Sequence, residues 1–408
     1  MIYFSYLYYS FVYISLSFWS TSLSFVKSYQ LSFHPLEKRI AYIHGFTELS
    51  QMSTETIRDL YHLFQKHPFL IFKDMKNVSP NEFLDFVKKF DIDHDEEALL
   101  YPEKYPHQML QPFDQFPDCN HVAPRGNIEL LDYYNIKNIK IEPYEAFINN
   151  YVWHVDMLGH EYKLPNVVTG FYLIEQPLIG GDTDFISGET IYENLNKDER
   201  LASHNILMEL NRRKFVTKNL EIDYAGVNRL EKFESWEEGN TQIPIVFAPD
   251  PNNPFERPRI LIMPTFFERV VGWTIQESRD WIRNFMVKNV LPHRVSIQWK
   301  KGDLAVFNNR RFIHSSNPAR NYLDNVNSNK RLLLQTFIPT TKPLLGIKPL
   351  EGNVYSCYNA KWLKDQEKSI ISAHNCIKFA VKNAIKNGDA LATDKKYYII
   401  NKKVDQAP

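Results

Sequence analysis

Apolar residues recur at helical spacing in only a few stretches of this chain, and most of the remaining pattern suits strands. After Ser53, the residues Ile57, Leu60, Tyr61 and Phe64 fall at i, i+3, i+4 and i+7. Ser53 can cap this helix, which should end near His67-Pro68. The apolar run Phe69 to Phe72 follows as a buried strand. Ser79-Pro80-Asn81-Glu82 forms a capping box with proline at the first helical position, ahead of a stripe of Phe83, Phe86, Val87 and Phe90. Beyond residue 150 the segments shorten: Val167 to Ile174, Pro244 to Ala248, Arg259 to Met263, Asp303 to Phe307 and Leu332 to Ile338 all read as strands. Thr274-Ile275-Gln276-Glu277 opens another helix, with Ile275, Ile282 and Phe285 available for burial. Residues 360–387 read as a Lys-rich amphipathic helix packed outside the core. Many short strands with few long helices predict a mainly β, jelly-roll-type barrel with helices on its flanks.

Composition narrows this picture only a little. The 408 residues are 44% apolar, enough for a sizeable core in one elaborated domain or two. Lys+Arg and Asp+Glu are both 48, so the basic footprint of a nucleic-acid binder is absent. Cys119, Cys357 and Cys376 are odd in number and widely spaced, which disfavours a disulfide framework and a zinc ribbon. A reducing, cytoplasmic compartment is the expectation. Residues 1–26 carry no charged side chain, and Lys27 is the first. This segment reads as a membrane anchor, a targeting segment or an over-extended start, and only through it would the chain touch a membrane.

Asn149 to Asp156 reads as a strand, in which residues two apart face the same way. His154 and Asp156 would then present an imidazole and a carboxylate to one point. A further strand, Asp303 to Phe307, ends in a polar turn that delivers His314. Two histidines and one carboxylate are the donor set of a non-haem iron triad with open positions. Each residue alone has a plainer explanation as a hydrogen-bonded or surface group. In Lys330 to Ile338, alternation puts Arg331, Leu333, Gln335 and Phe337 on one face, and an inward arginine needs an anionic partner.

With these motifs in order, the chain resembles the taurine dioxygenase (TauD/TfdA) family of iron(II)/2-oxoglutarate oxygenases. The resemblance is carried by Trp153-His154-Val155-Asp156, Gly180-Gly181-Asp182-Thr183, Gly302-Asp303 through Asn309-Arg310 to His314, and Arg331. It implies a double-stranded β-helix (jelly-roll, cupin-like) barrel over residues 30–345, with 1–29 a separate apolar segment and 346–408 a helical extension. It implies iron(II) on His154, Asp156 and His314, and 2-oxoglutarate held by Arg331 and Thr183, with Arg320 as the alternative anchor. Asn150 matches a substrate-contacting position. The implied reaction hydroxylates a small organic molecule with O2 and releases succinate and CO2.

Two departures stand out, of which the second bears on the substrate. Asn308 stands where an aspartate is usual, and Gln335 stands where sulfonate-cleaving members carry an arginine. A neutral amide cannot supply charge to a sulfonate, so Gln335 favours a neutral polar molecule such as a heterocycle, and it resembles the fungal xanthine dioxygenase branch. A sulfonate or sulfate-ester substrate stays open, as does a homo-oligomer. Trp153, Tyr172, Phe185 and Phe337 are candidate pocket walls. Two other classes compete: a non-catalytic binding protein on the same fold, and a zinc hydrolase or lyase, which would have no use for Arg331 and Thr183.

Overall fold

The computed structural model describes residues 29–96, 99, 116, 118–141, 151–156, 158, 165–177, 179–210, 241–250, 252–317, 330–340, 342, 344–348 and 353–356. Its strands are β1 (Gln30–Phe33), β2 (Ile40–His44), β3 (Phe69–Phe72), β4 (Val122–Gly126), β5 (Val168–Glu175), β6 (Thr183–Ser187), β7 (Leu207–Leu210), β8 (Thr241–Pro244), β9 (Val246–Phe247), β10 (Arg259–Ile260), β11 (Phe267–Val270), β12 (Val295–Ile297), β13 (Leu304–Asn308), β14 (Phe312–Ser316), β15 (Leu332–Phe337), β16 (Leu345–Lys348) and β17 (Asn353–Ser356). The helices are α1 (Thr54–Lys66), α2 (Pro80–Lys88), α3 (Leu131–Tyr134), α4 (Gly188–Asn194), α5 (Lys197–Ser203) and α6 (Ile275–Phe285).

The helices start where local chemistry says they should. Ser53 accepts from the Thr56 amide, and Ser79/Glu82 and Thr274/Glu277 form reciprocal capping boxes. The seven-stranded sheet runs β1-β2-β3-β13-β5-β15-β4, and a three-stranded sheet runs β12-β6-β14. Alternation sorts the large sheet's residues. Phe69, Ile71, Phe171, Leu173, Ala305, Phe307 and Leu333 meet Phe185, Val295, Ile297 and Phe312 of the smaller sheet in one buried cluster. The residues between them, such as Leu70, Phe72, Tyr172, Leu304, Val306 and Leu334, pack with Leu60, Phe64, Phe83, Phe86 and Val87 of α1 and α2. The outer face of the small sheet, with Ile186 and Ile313, is covered by a third cluster that includes residues of β7–β10, α4 and α6. The chain is therefore a mainly β jelly roll with helices on its flanks, as its sequence predicted.

The inner cluster is aromatic. Phe69 lies 4.7 Å from Phe185, 5.2 Å from Phe307 and 5.5 Å from Phe312 between ring centroids. On the other face, α2 sits so close to β5 that a Cβ on Gly170 would lie 2.6 Å from Val87 Cγ2 and 2.9 Å from Phe83 Cζ. Gly170→Val is expected to push α2 off the sheet and cost about 1–3 kcal/mol, read as a lowered melting temperature. An unchanged melting temperature would show that α2 can shift freely.

Several expectations need correction. Tyr172 faces the helices and reaches toward the Met75 carbonyl, because the alternation of β5 turns it away from Phe171. Trp153 stacks on Tyr151 at 5.4 Å in the outer cluster. Neither is a pocket wall. Pro244 to Ala248 divides between β8 and β9. Residues 1–28 and the 360–387 helix lie outside the described residues, as do Arg320 and Asn150. Among the described residues, no helix is long and apolar enough to cross a membrane.

Candidate metal centre

His154 and His314 are brought together by backbone pairing. The His154 amide donates to the His314 carbonyl at 3.0 Å, and the return bond is 2.9 Å. Such mutual pairing sets both side chains on one face, and the imidazole centroids are 4.3 Å apart. Residues 151–156 do not form the expected strand: this bridge is the segment's ladder contact, and the chain then turns at Asp156. The turn still aims the carboxylate back. Asp156 Oδ1 is 3.4 Å from His154 Nε2, and Oδ2 is 3.5 Å from His314 Nε2. One donor atom from each residue lies within 4.8 Å of the other two. Donors on one octahedral face with bonds of about 2.1 Å stand about 3 Å apart, so the spacing fits a first-row metal ion.

Neighbouring groups fix each ligand. The Val152 amide donates to Ser315 Oγ at 2.8 Å, laying the segment along β14. His154 Nδ1 bonds the Val152 carbonyl. A carbonyl can only accept, so Nδ1 carries a proton, and this bond fixes the ring with Nε2 toward Asp156. His314 lies between Phe185 at 5.6 Å and Phe307 at 5.3 Å. Around Asp156 a buried polar network closes. Asn309 Oδ1 accepts from the Asp156 amide, and Asn309 Nδ2 donates to the Asp156 and Asn166 carbonyls. Asn166 donates to Thr169 Oγ1, whose hydroxyl donates to Asp156 Oδ2 at 3.1 Å. Burial would push the Asp156 carboxyl up, but the His314 and His154 imidazoles outweigh it and hold the group well below the usual carboxylate range. Burial, and then repulsion from His154, push the His314 imidazole down.

The second group of predicted residues lies further along the barrel. Thr183 opens β6 on the same face as Phe185, and its hydroxyl accepts from Trp299 Nε1 at 2.9 Å. Arg331 precedes β15. Its backbone amide donates to Asn127 Oδ1, and its side chain passes so close to Gly181 that a Cβ there would lie 3.3 Å from Arg331 Nε. Gly181 has φ +73, a conformation suited to glycine, so the Gly-Gly-Asp-Thr turn both carries Thr183 and admits the arginine stem. Gln335 lies on the inward face with Leu333 and accepts from Arg125 Nε at 3.1 Å.

The sequence reading had not singled out Thr169, Asn166, Trp299 or Arg125. Thr169 could have been found from the alternation of Val167 to Ile174. Arg125 was hidden by Pro124, which argues against a strand.

These features have counterparts in known proteins. The alpha-ketoglutarate-dependent xanthine dioxygenase xan1 of Schizosaccharomyces pombe is 20% identical over 335 residues, covering 65% of this chain and 78% of that protein. Among solved structures, a taurine dioxygenase from Burkholderia xenovorans superposes with a TM-score of 0.52 at 16% identity, over 78% of this chain and 91% of that one. AAD-2 in complex with Mn(II) and N-oxalylglycine gives 0.50 at 13% identity, over 77% and 99%. At these identities the structures speak for the fold. The family profile described as taurine catabolism dioxygenase TauD, TfdA family matches residues 33–336, and the chain belongs to that family of iron(II)- and 2-oxoglutarate-dependent dioxygenases.

Proposed function

We propose that His154, Asp156 and His314 hold the iron(II) ion, and that Arg331 and the Thr183 hydroxyl anchor the distal carboxylate of 2-oxoglutarate. The observation that carries this is the His154–His314 backbone bridge with the Asp156 carboxylate turned back onto both imidazoles. The names of AAD-2, bound to Mn(II), and of the α-ketoglutarate-dependent xan1 support it. When bound, the iron and 2-oxoglutarate together supply the oxidising power that inserts oxygen from O2 into a substrate C–H, with succinate and CO2 released.

The chain's own groups then have separate tasks. The Asn309–Asn166–Thr169 network fixes Asp156, so its orientation does not depend on the ion. Trp299 takes a lone pair of the Thr183 oxygen, which leaves the hydroxyl proton to point at a carboxylate. Arg331 supplies the charge for that carboxylate. Phe171, Phe185, Phe307 and Leu333 make an apolar wall that keeps water from the reacting C–H. Phe337 stands opposite Thr169 on the inward face and closes the wall beside Asp156.

Purified protein supplied with iron(II), 2-oxoglutarate and a panel of purines, sulfonates, sulfate esters and aryloxy acids is expected to form succinate, and chelation should stop it. Arg331→Gln should raise the 2-oxoglutarate concentration for half-maximal rate by about 30-fold or more, the loss of charge-assisted hydrogen bonds worth roughly 2–3 kcal/mol. No succinate with any member at saturating iron, or an unaltered 2-oxoglutarate requirement in the variant, would overturn the assignment.

A further inference from the structure

A second cleft lies behind the turn that supports the metal centre. Tyr61 and Phe64 of α1, Phe90 and Asp91 after α2, and Asn308 and Arg310 help to line it. Asn309, between the last two, bonds Asp156, so the cleft backs onto the network that holds that ligand. Asp91 is only 3% exposed. Its Oδ1 accepts from the Asp93 amide at 3.0 Å, while Oδ2 has no hydrogen-bond partner among the described residues. The neighbouring donors are engaged elsewhere. Lys342 Nζ contacts Asp250 and lies 3.7 Å from Asp93, and Arg259 Nη1 is 2.9 Å from Glu256. Arg310 sends Nε to the Pro165 carbonyl at 2.8 Å and a terminal nitrogen to the Lys342 carbonyl at 2.6 Å. The Thr340 hydroxyl donates to the Asp93 carbonyl. Burial outweighs the more distant charges of Arg310 and Lys342 and pushes the Asp91 carboxyl up to about 6.

We propose that this cleft is a binding site for a small primary ammonium ligand, held by a charge-assisted hydrogen bond to Asp91 Oδ2. A buried carboxylate oxygen calls for a donor, and an unpaired one is costly. An alcohol would fill the hydrogen bond but leave the charge uncompensated, whereas an ammonium supplies both. A metal ion would need several ligands, and Asp250 and Glu256 are already in ion pairs. Among the described residues, the group of His, Cys, Asp and Glu spaced to hold an ion is His154, Asp156 and His314. The walls suit an alkylammonium. Tyr61, Phe64 and Phe90 bring aromatic surface to the cleft, which favours both a cation and a short apolar stem. The approach is acidic as well: Asp91, Asp93, Asp95, Glu96 and Glu97 fall within seven residues, and Asp93 lines the cleft with its side chain 46% exposed. Such a rim raises the local concentration of cations. The site is separate from the iron and 2-oxoglutarate positions and does not rest on that reading.

The test titrates the whole protein by calorimetry with ethylammonium chloride and, beside it, ethanol, which has the same number of heavy atoms and no charge. Ethylammonium is expected to bind about tenfold or more tighter than ethanol. Asp91→Asn should erase that preference. The variant keeps an acceptor for the Asp93 amide and removes an uncompensated buried charge, so it should fold. A wild-type crystal soaked in ethylammonium chloride gives a second reading that does not depend on any variant: the amine nitrogen should lie within hydrogen-bond distance of Asp91 Oδ2. Equal binding of the two compounds, no binding of ethylammonium, a preference that survives Asp91→Asn, or a soaked crystal with water alone beside Asp91 would overturn the proposal.

Discussion

Asp156→Ala is expected to leave a folded protein that no longer retains iron and whose succinate formation falls by at least about 10³-fold. The fold should survive because two of the bonds that tie residue 156 into the barrel are backbone bonds. Its amide donates to Asn309 Oδ1, and its carbonyl accepts from Asn309 Nδ2. Neither needs the carboxylate. Removing the carboxylate gives up its contacts with the two imidazoles and the Thr169 hydroxyl, a modest loss that the backbone bonds should withstand. What disappears is the group that faces both imidazoles at 3.4 and 3.5 Å. Two histidines alone cannot fix the ion's position. Thr169→Val provides the graded comparison. It deletes one hydrogen bond to Asp156 Oδ2 and should weaken metal affinity by about 10–100-fold, the usual effect of losing a group that orients a ligand. Metal content after desalting and a competitive metal titration measure both. Stoichiometric iron and near-normal turnover in Asp156→Ala would remove this carboxylate from the site.

The sequence points to the same three ligands, but for partly different reasons. Helices α1, α2 and α6 were legible because their signals are local: Ser53, Ser79 and Thr274 each make the cap that their spacing predicted. Strands β5, β13 and β15 fall within a residue or two of their apolar runs, because burial on both faces leaves an unbroken hydrophobic segment. The His154/Asp156 pair was read through strand alternation, and the two side chains do converge. They do so through a single bridge and a turn, which a pattern of residue types cannot encode. Trp153 and Tyr172 were misplaced because aromatic character does not say which face of a sheet a residue occupies. Arg125 shows the sharper limit. Its partner Gln335 is 210 residues away, and only the pairing of β4 with β15 brings them together. The glycine that ends β4 permits this closeness, since a Cβ on Gly126 would lie 1.9 Å from the Arg331 carbonyl oxygen.

The largest loss of stability is expected from Glu189→Leu, at about 3–5 kcal/mol. Glu189 on α4 and Arg311 in the turn between β13 and β14 are both almost fully buried, at 0% and 1% exposure. They meet through Arg311 Nε and Glu189 Oε1 at 2.8 Å and through a terminal guanidinium nitrogen and Oε2 at 3.0 Å. Arg39 Nε also donates to Glu189, but Arg39 keeps Glu37 and Glu193 when that partner is lost. Among the described residues Arg311 would keep the Gln65 carbonyl and the more distant charge of Glu256, with no carboxylate in ion-pair range. A guanidinium left in that position cannot lose its proton, so the cost falls on folding. For a chain of this size the melting temperature should drop by roughly 5 °C. The effect should reach the metal centre as well. Arg311 stands three residues before His314, and its carbonyl accepts from the Gly188 amide at the start of α4. A loosened turn lets β14 shift against β6, and with it the imidazole of His314, so iron affinity should fall along with stability. The double substitution Arg311→Leu with Glu189→Leu separates charge from packing. If the penalty is the stranded guanidinium, the double variant regains most of the stability lost by Glu189→Leu. If it is as unstable as the single variant, the pair acts through its shape and hydrogen bonds, and the electrostatic account of this turn is wrong.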